Sequence, residues 1–175
     1  MTRILAITNQ KGGVGKTTTA INLAAALATF NRRTLLIDCD PQACATAISG
    51  SYQKKFKFTL TDGLLGRVAL REMTVQTCLY RLRLVPAPFD LIRPEPTLTK
   101  VPEPERLLAR LLADVEADFD YIILDTPAAF DLLSLNAIVA ADAVLVPIQC
   151  EYLALEGLGH LLNTIYMVRD RLNPR

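Results

Sequence analysis

Gln10-Lys11-Gly12-Gly13-Val14-Gly15-Lys16-Thr17-Thr18 lies between a short hydrophobic run, Ile4 to Thr8, and a segment of helical period from about Gly15 to Ala28. Glycines in such a turn let the backbone curl until successive N–H groups converge on an anion, and the following helix adds the partial positive charge of its first turn. Lys16 is then placed to reach the β- and γ-phosphates of a nucleotide, and the Thr17 hydroxyl to ligate Mg²⁺. A strand, a glycine turn and a Gly-Lys-Thr helix start read together as a phosphate loop. The general spacing (Gly, four residues, Gly-Lys-Ser/Thr) is not met, because its first position falls on Gln10 and an additional lysine, Lys11, follows.

Further apolar runs at Thr34 to Ile37, Leu82 to Val85, Tyr121 to Leu124 and Ala143 to Ile148 predict strands covered on both faces. They alternate with helical periods, one carrying Leu107, Leu108, Leu111, Leu112 and Val115 and started by Pro104, another carrying Leu158 to Leu172. The pattern implies an α/β fold with a mostly parallel twisted sheet and helices on both faces. Six prolines, at Pro86, Pro88, Pro94, Pro96, Pro102 and Pro104, predict a long irregular loop between the Leu82 to Val85 strand and the Leu107 helix. The whole chain, 1–175, reads as a single domain of 175 residues without internal repeats.

Composition narrows the function. The chain is 51% hydrophobic and 21% charged, with 19 Lys+Arg against 18 Asp+Glu, which excludes wholesale disorder and a generally basic coat for nucleic acid. The longest apolar stretch, around Leu132 to Ile148, is interrupted by Ser134, Asn136 and Asp142, and the N-terminal run is too short for a signal peptide, so a cytoplasmic protein without a membrane partner is expected. Cys39, Cys44, Cys78 and Cys150 form no C-x-x-C pair and are expected to be ordinary small, buried apolar residues.

Phosphoryl transfer needs a metal organiser and a group that positions water, both at carboxyl ends of strands near the loop. Tyr121-Ile122-Ile123-Leu124-Asp125 ends an apolar strand in an acid suited to holding Mg²⁺. Leu35-Leu36-Ile37-Asp38-Cys39-Asp40-Pro41-Gln42 ends another in two acids whose side chains, two residues apart, can face one crevice.

Lys11-Gly12-Gly13-Val14-Gly15-Lys16-Thr17-Thr18 resembles the deviant Walker A motif of the ParA/MinD superfamily, and Asp38-Cys39-Asp40-Pro41-Gln42 resembles its switch I segment. Thr19 to Ala24, Leu135-Asn136-Ala137 and Val146 to Leu158 are similar to ParA-type partition ATPases in particular. The resemblance implies a P-loop ATPase in which Lys11 to Thr18 bind ATP. Thr17, Asp38 and Asp125 would serve Mg²⁺, and Asp40 would orient the attacking water. Lys16 and Lys11 would act on the phosphates, Lys11 across an ATP-sandwich homodimer. It further implies plasmid or chromosome partitioning with a ParB-like centromere-binding partner, and non-specific DNA at the nucleoid.

Two stretches depart from the family pattern: Ala43-Cys44 stand where Gly-Asn is usual after Gln42, and Ala128 where a second proline follows Pro127. They leave open a nucleotide-dependent switch with little hydrolysis. A MinD-like positioning ATPase would carry a basic amphipathic last helix, and an iron–sulfur carrier a paired cysteine motif; neither pattern is met. Relatives of this kind continue past the point matching Arg175, so the chain is expected to be C-terminally short, lacking the family's adenine and DNA contacts. Local candidates for nucleic acid are Lys54, Lys55 and Lys57 interleaved with Tyr52, Phe56 and Phe58, and Arg169, Arg171 and Arg175.

Overall fold

The computed structural model describes residues 2–51, 56–87 and 95–174. Their strands are β1 (Arg3–Ile7), β2 (Thr34–Asp38), β3 (Val75–Gln76), β4 (Leu82–Val85), β5 (Tyr121–Asp125) and β6 (Ala143–Leu145). They form one sheet in the order β3-β4-β2-β5-β1-β6, parallel throughout except for the β3–β4 pair. The helices are α1 (Lys16–Thr29), α2 (Cys44–Thr46), α3 (Leu60–Leu64), α4 (Leu70–Met73), α5 (Glu95–Leu98), α6 (Leu107–Ala113), α7 (Leu132–Ala140) and α8 (Tyr152–Arg171).

Alternation along the strands divides the interior into two cores. Leu35, Ile37, Ile122 and Leu124 point to the face covered by α3, α4, α6 and α7, whereas Leu36, Ile123 and Ile7 point to the face covered by α1. On α1 the buried positions are Lys16, Ala20, Ala24 and Ala28, one stripe at intervals of four residues. Alanine lets the helix axis lie close to the sheet, and the same stripe carries Lys16 inward at the end that faces the glycine turn. Because β1 connects to β2 with β5 between them, the carboxyl ends of β1, β5 and β2 open on a single crevice.

The parallel α/β class expected from the sequence is what the chain forms, with local differences. The strand expected over Ala143 to Ile148 stops at Leu145; Pro147 has no N–H to give a ladder, and its carbonyl accepts instead from Asn9 Nδ2 at 2.8 Å. The proline-rich stretch is not wholly irregular. Pro96 lies in the first turn of α5 and Pro104 opens a 3₁₀ turn that leads into α6, positions where a missing N–H costs nothing. Pro88 and Pro94 lie outside the described residues.

Helix α7 was not foreseen as a helix, since its residues read only as part of a broken apolar run. Its polar residues serve it: Asp131 caps the Ser134 N–H at 2.9 Å. Asn136, 2% exposed, accepts from Leu108 N at 3.0 Å and donates to Pro104 O at 2.8 Å and Leu132 O at 2.9 Å, so a side chain of α7 caps the start of α6. Among the described residues no helix is long and apolar enough to cross a membrane.

Removing the Asn136 amide leaves a buried donor and a buried acceptor without partners. Asn136→Ala is expected to lower the unfolding free energy by about 2 to 3 kcal/mol, measured by urea denaturation; a loss below about 0.5 kcal/mol would mean that the α6–α7 join does not depend on this cap.

Candidate functional site

The glycine turn leaves β1 at the crevice and enters α1. Gly13 (φ 74°) and Gly15 (φ 90°) are both left-handed, conformations that a residue with a Cβ resists, and Gly15 is the N-cap of α1. Lys16 is 7% exposed and its ammonium donates to the carbonyl oxygen of Lys11 at 3.0 Å, closing the turn on itself. Burial pulls the Lys16 pKa below its ordinary value, while the charges of Asp125 and Asp40 act to raise it. Gln149 Nε2 reaches Gly13 O at 3.4 Å, and Asn9 Oδ1 accepts from Lys11 N at 3.0 Å. Gly12, Val14, Thr17 and Thr18 complete the turn and the first helical residues, so Lys11 to Thr18 form one continuous cradle.

Asp38 and Asp125 end the adjacent strands β2 and β5 and are register partners, both fully buried. Their environments differ. Asp38 Oδ2 accepts from Thr46 N and Thr46 Oγ1, each at 2.7 Å, and Oδ1 accepts from Asp40 N at 3.1 Å. Burial nevertheless raises its pKa to about 6 against those hydrogen bonds. Most of its acceptor capacity is thus spent on folding the Asp40 to Thr46 loop back over β2.

Asp125 has two buried carboxylate oxygens without a hydrogen bond among the described residues. Burial first, then the neighbouring Asp38 charge, raise its pKa to about 7; the Thr17 hydroxyl draws it weakly the other way, short of a fully formed hydrogen bond. A buried acid with no donor beside a buried ammonium and a threonine hydroxyl is a place for a cation. Among the described residues no three His, Cys, Asp or Glu side chains converge. The donor set therefore fits an ion that takes few protein ligands and fills its shell from phosphates and water, as Mg²⁺ does.

Asp40 is half-buried at the mouth of the crevice, its Oδ1 accepting from Gln42 N at 2.9 Å. The loop behind it contains Ala43, buried and left-handed at φ 52°. The usual glycine would sit there without cost; a Cβ in that conformation costs about 1 to 2 kcal/mol. Ala128, the other departure, is exposed beside the phosphate loop, its Cβ 4.0 Å from where a Cβ on Gly12 would lie.

Lys11 does not point into its own crevice. Its Nζ lies 2.9 Å from Glu151 Oε2, at the N-cap of α8, in an exposed pair. Glu151, Asn9, Gln149 and Thr46 had no role in the sequence reading. Glu151 and Gln149 reach the loop only through the fold; Asn9 adjoins it in sequence and bonds Lys11 two residues on; the Thr46 partnership needs the turn after Asp40.

Of the nucleic-acid candidates that are described, two have local partners. Lys57 lies 4.8 Å over the ring of its neighbour Phe58, and Arg169 pairs with Asp170 and stacks on Tyr166. Tyr52, Lys54, Lys55 and Arg175 lie outside the described residues. The cysteines also correct an expectation: only Cys39, between β2 and the loop, is buried, while Cys44 at the start of α2 and Cys78 and Cys150 in connections are exposed.

The profile of the AAA domain family (AAA_31) matches residues 2–175. The chain is 49% identical over 172 residues to the chromosome partitioning protein ParA of Myxococcus xanthus, covering 98% of this chain and 61% of that protein. It is 43% identical over 173 residues to the sporulation initiation inhibitor protein Soj of Bacillus subtilis, covering 99% of this chain and 68% of that one. Among solved structures, cobyrinic acid a,c-diamide synthase from Mycobacterium smegmatis with bound ATP analog and magnesium superposes with a TM-score of 0.93 at 42% identity, over 99% of this chain and 71% of that one. The chain thus spans less than two thirds of the length of the Myxococcus relative.

An acid whose folded pKa lies above its unfolded value stabilises the fold below the unfolded pKa and loses that contribution as pH rises through the folded one. For Asp125 the window runs from about pH 4 to about pH 7. Nucleotide-free Asp125→Asn is therefore expected to be more stable than the unaltered protein at pH 8, by up to about 4 kcal/mol, with the difference vanishing towards pH 4. Thermal melts across pH read this directly; a variant less stable at pH 8 would show that Asp125 is satisfied in the free protein.

Proposed function

The chain belongs to the AAA domain family, in its group of ParA- and Soj-like partition proteins, and from that premise we propose that it is a Mg²⁺-dependent ATPase that cycles through an ATP-sandwich dimer to segregate plasmid or chromosomal DNA. The observation that carries the reading is the buried Lys16 ammonium inside a turn of left-handed glycines, facing the unpartnered Asp125 carboxylate. ATP and Mg²⁺ fit that site: the turn supplies N–H groups, Lys16 a charge, and Asp125 and Thr17 the oxygen ligands, with Asp38 supporting from behind. Mg²⁺ supplies neutralisation of the charge that builds on the phosphates.

Each residue then has a task. Backbone N–H groups from Gly12 to Thr18 hold the phosphates, and Lys16 exchanges the Lys11 carbonyl for a phosphate oxygen. Asp40, at the mouth, orients the attacking water. Lys11 serves the partner subunit's nucleotide. An exposed ion pair of the Lys11–Glu151 kind stabilises by about 0 to 1 kcal/mol, so leaving Glu151 costs little compared with a charge-assisted contact to a triphosphate. A ParB-like centromere-binding protein and non-specific DNA at the nucleoid are the partners this reading implies, supported by the relatives named for chromosome partitioning. An amide synthase, as the Mycobacterium smegmatis protein is named, would use the same phosphates to activate a carboxylate; the identity to partition proteins favours segregation.

One observation favours a second reading, a nucleotide-dependent switch that hydrolyses little: the strained Ala43 in the loop that positions Asp40. Turnover separates the two. Phosphate release per subunit is expected to rise with protein concentration, and Lys11→Ala, Lys16→Ala and Asp40→Ala each to lower it at least about a hundredfold. Turnover that is flat with concentration and indifferent to Lys11→Ala would contradict the dimeric mechanism; nucleotide binding without turnover at any concentration would favour the switch.

A further inference from the structure

At the amino ends of β2, β4 and β5, beside Val115 and Phe119, lies a cavity of about 400 Å³ whose charged lining is Arg33, Arg71, Arg81, Arg83 and Asp118. The strands separate it from the phosphate loop by more than about 10 Å, and it shares no residue with that site. Arg33 pairs with Asp120 at 2.9 Å and Arg71 with Asp118 at 2.9 Å, both pairs exposed. Arg81 donates only its Nε, to Asn31 Oδ1 at 2.9 Å, and Arg83 is exposed without an ion pair or side-chain hydrogen bond among the described residues. Arg81 and Arg83 are alternate residues, so their side chains share a face while Leu82 and Leu84 bury on the other. Positive charge therefore exceeds negative around this pocket although the chain as a whole is nearly neutral.

The connection from β3 to β4 is firmly built. Gln76 Nε2 donates to Leu79 O at 2.8 Å and Leu82 O at 3.2 Å; the Thr77 hydroxyl donates to Leu82 O at 2.8 Å and accepts from Leu79 N at 3.2 Å. What this turn displays is Tyr80, 85% exposed, with the Arg81 guanidinium 5.2 Å from its ring centroid. No packing explains a large ring held out on an ordered turn. Guanidinium forks match phosphate oxygens two at a time, and an exposed aromatic face receives an unstacked base.

We propose that Arg81, Arg83 and Tyr80, with the pocket behind them, bind single-stranded nucleic acid, phosphates on the arginines and one unpaired base on the ring. An acidic peptide would use the arginines and leave Tyr80 without a function. A duplex would keep its bases stacked on each other and away from the ring. This site does not rest on the ATPase reading, since it lies at the other end of the sheet.

Fluorescence anisotropy of the full chain with a labelled oligothymidylate of about twenty nucleotides tests it. Arg81→Ala/Arg83→Ala is expected to weaken binding about fivefold to tenfold near physiological salt and to flatten the plot of log affinity against log salt by about 1.4, roughly 0.7 for each lost phosphate contact. Tyr80→Ala is expected to weaken binding about tenfold with the salt slope unchanged. Thermal midpoints within error of the unaltered protein establish that these exposed substitutions leave the fold intact, and Arg83→Gln alone gives half of the slope change. An affinity and slope indifferent to the arginine pair would overturn the proposal. So would polyglutamate competing as well as the oligonucleotide, or Tyr80→Ala weakening a hairpin duplex as much as it weakens the single strand.

Discussion

Two carboxylates buried side by side at the ends of adjoining parallel strands, Asp38 on β2 and Asp125 on β5, are the constraint around which this molecule is arranged. Burial pushes both above the usual carboxylate range, and the Asp38 charge pushes Asp125 further. The fold answers the two charges differently. Asp38 is satisfied from within by Thr46 and the Asp40 backbone, at the cost of fixing the loop between them. Asp125 is left for whatever enters the crevice, and the sheet, the alanine stripe of α1 and the glycine turn serve to hold Lys16 opposite it.

The rigid and movable parts of the site divide along the same line. The Asp38–Thr46 hydrogen bonds are buried and charge-assisted, so the loop carrying Asp40 keeps its shape, including the unfavourable backbone of Ala43. The Lys11–Glu151 pair is exposed and cheap to break. A lysine stored on a neighbouring helix cap by a weak contact is suited to leave its own subunit, whereas Lys16, buried and tied to the Lys11 carbonyl, is suited to stay.

Much of this was legible in the residues because the chemistry is local. Gly13, Gly15, Lys16 and Thr17 are contiguous, and a strand ending in an acid announces Asp125 and Asp38 wherever the fold places them. The sheet's hydrophobic runs were long enough to name every parallel strand, with β6 overextended past Pro147. What was not legible depends on tertiary placement. Glu151 meets Lys11 across 140 residues of sequence, α7 hides its period behind buried Ser134 and Asn136, and the arginines of the pocket beside Tyr80 come from three separate segments. Short α3 and α4 and the two-residue β3 carry too few apolar positions for a period to show.

The cation site depends on Asp125 being an unsatisfied acid in the free protein. Carbon-13 NMR titration of the Asp125 carboxyl measures this directly, the resonance identified by its loss in a substituted protein. The free protein should show it protonating near pH 7, and addition of Mg²⁺ with a non-hydrolysable ATP analogue should carry the transition below about pH 5, as a bound cation favours the charged form. A midpoint at the ordinary aspartate value near 4 in the free protein, unmoved by metal and nucleotide, would contradict it.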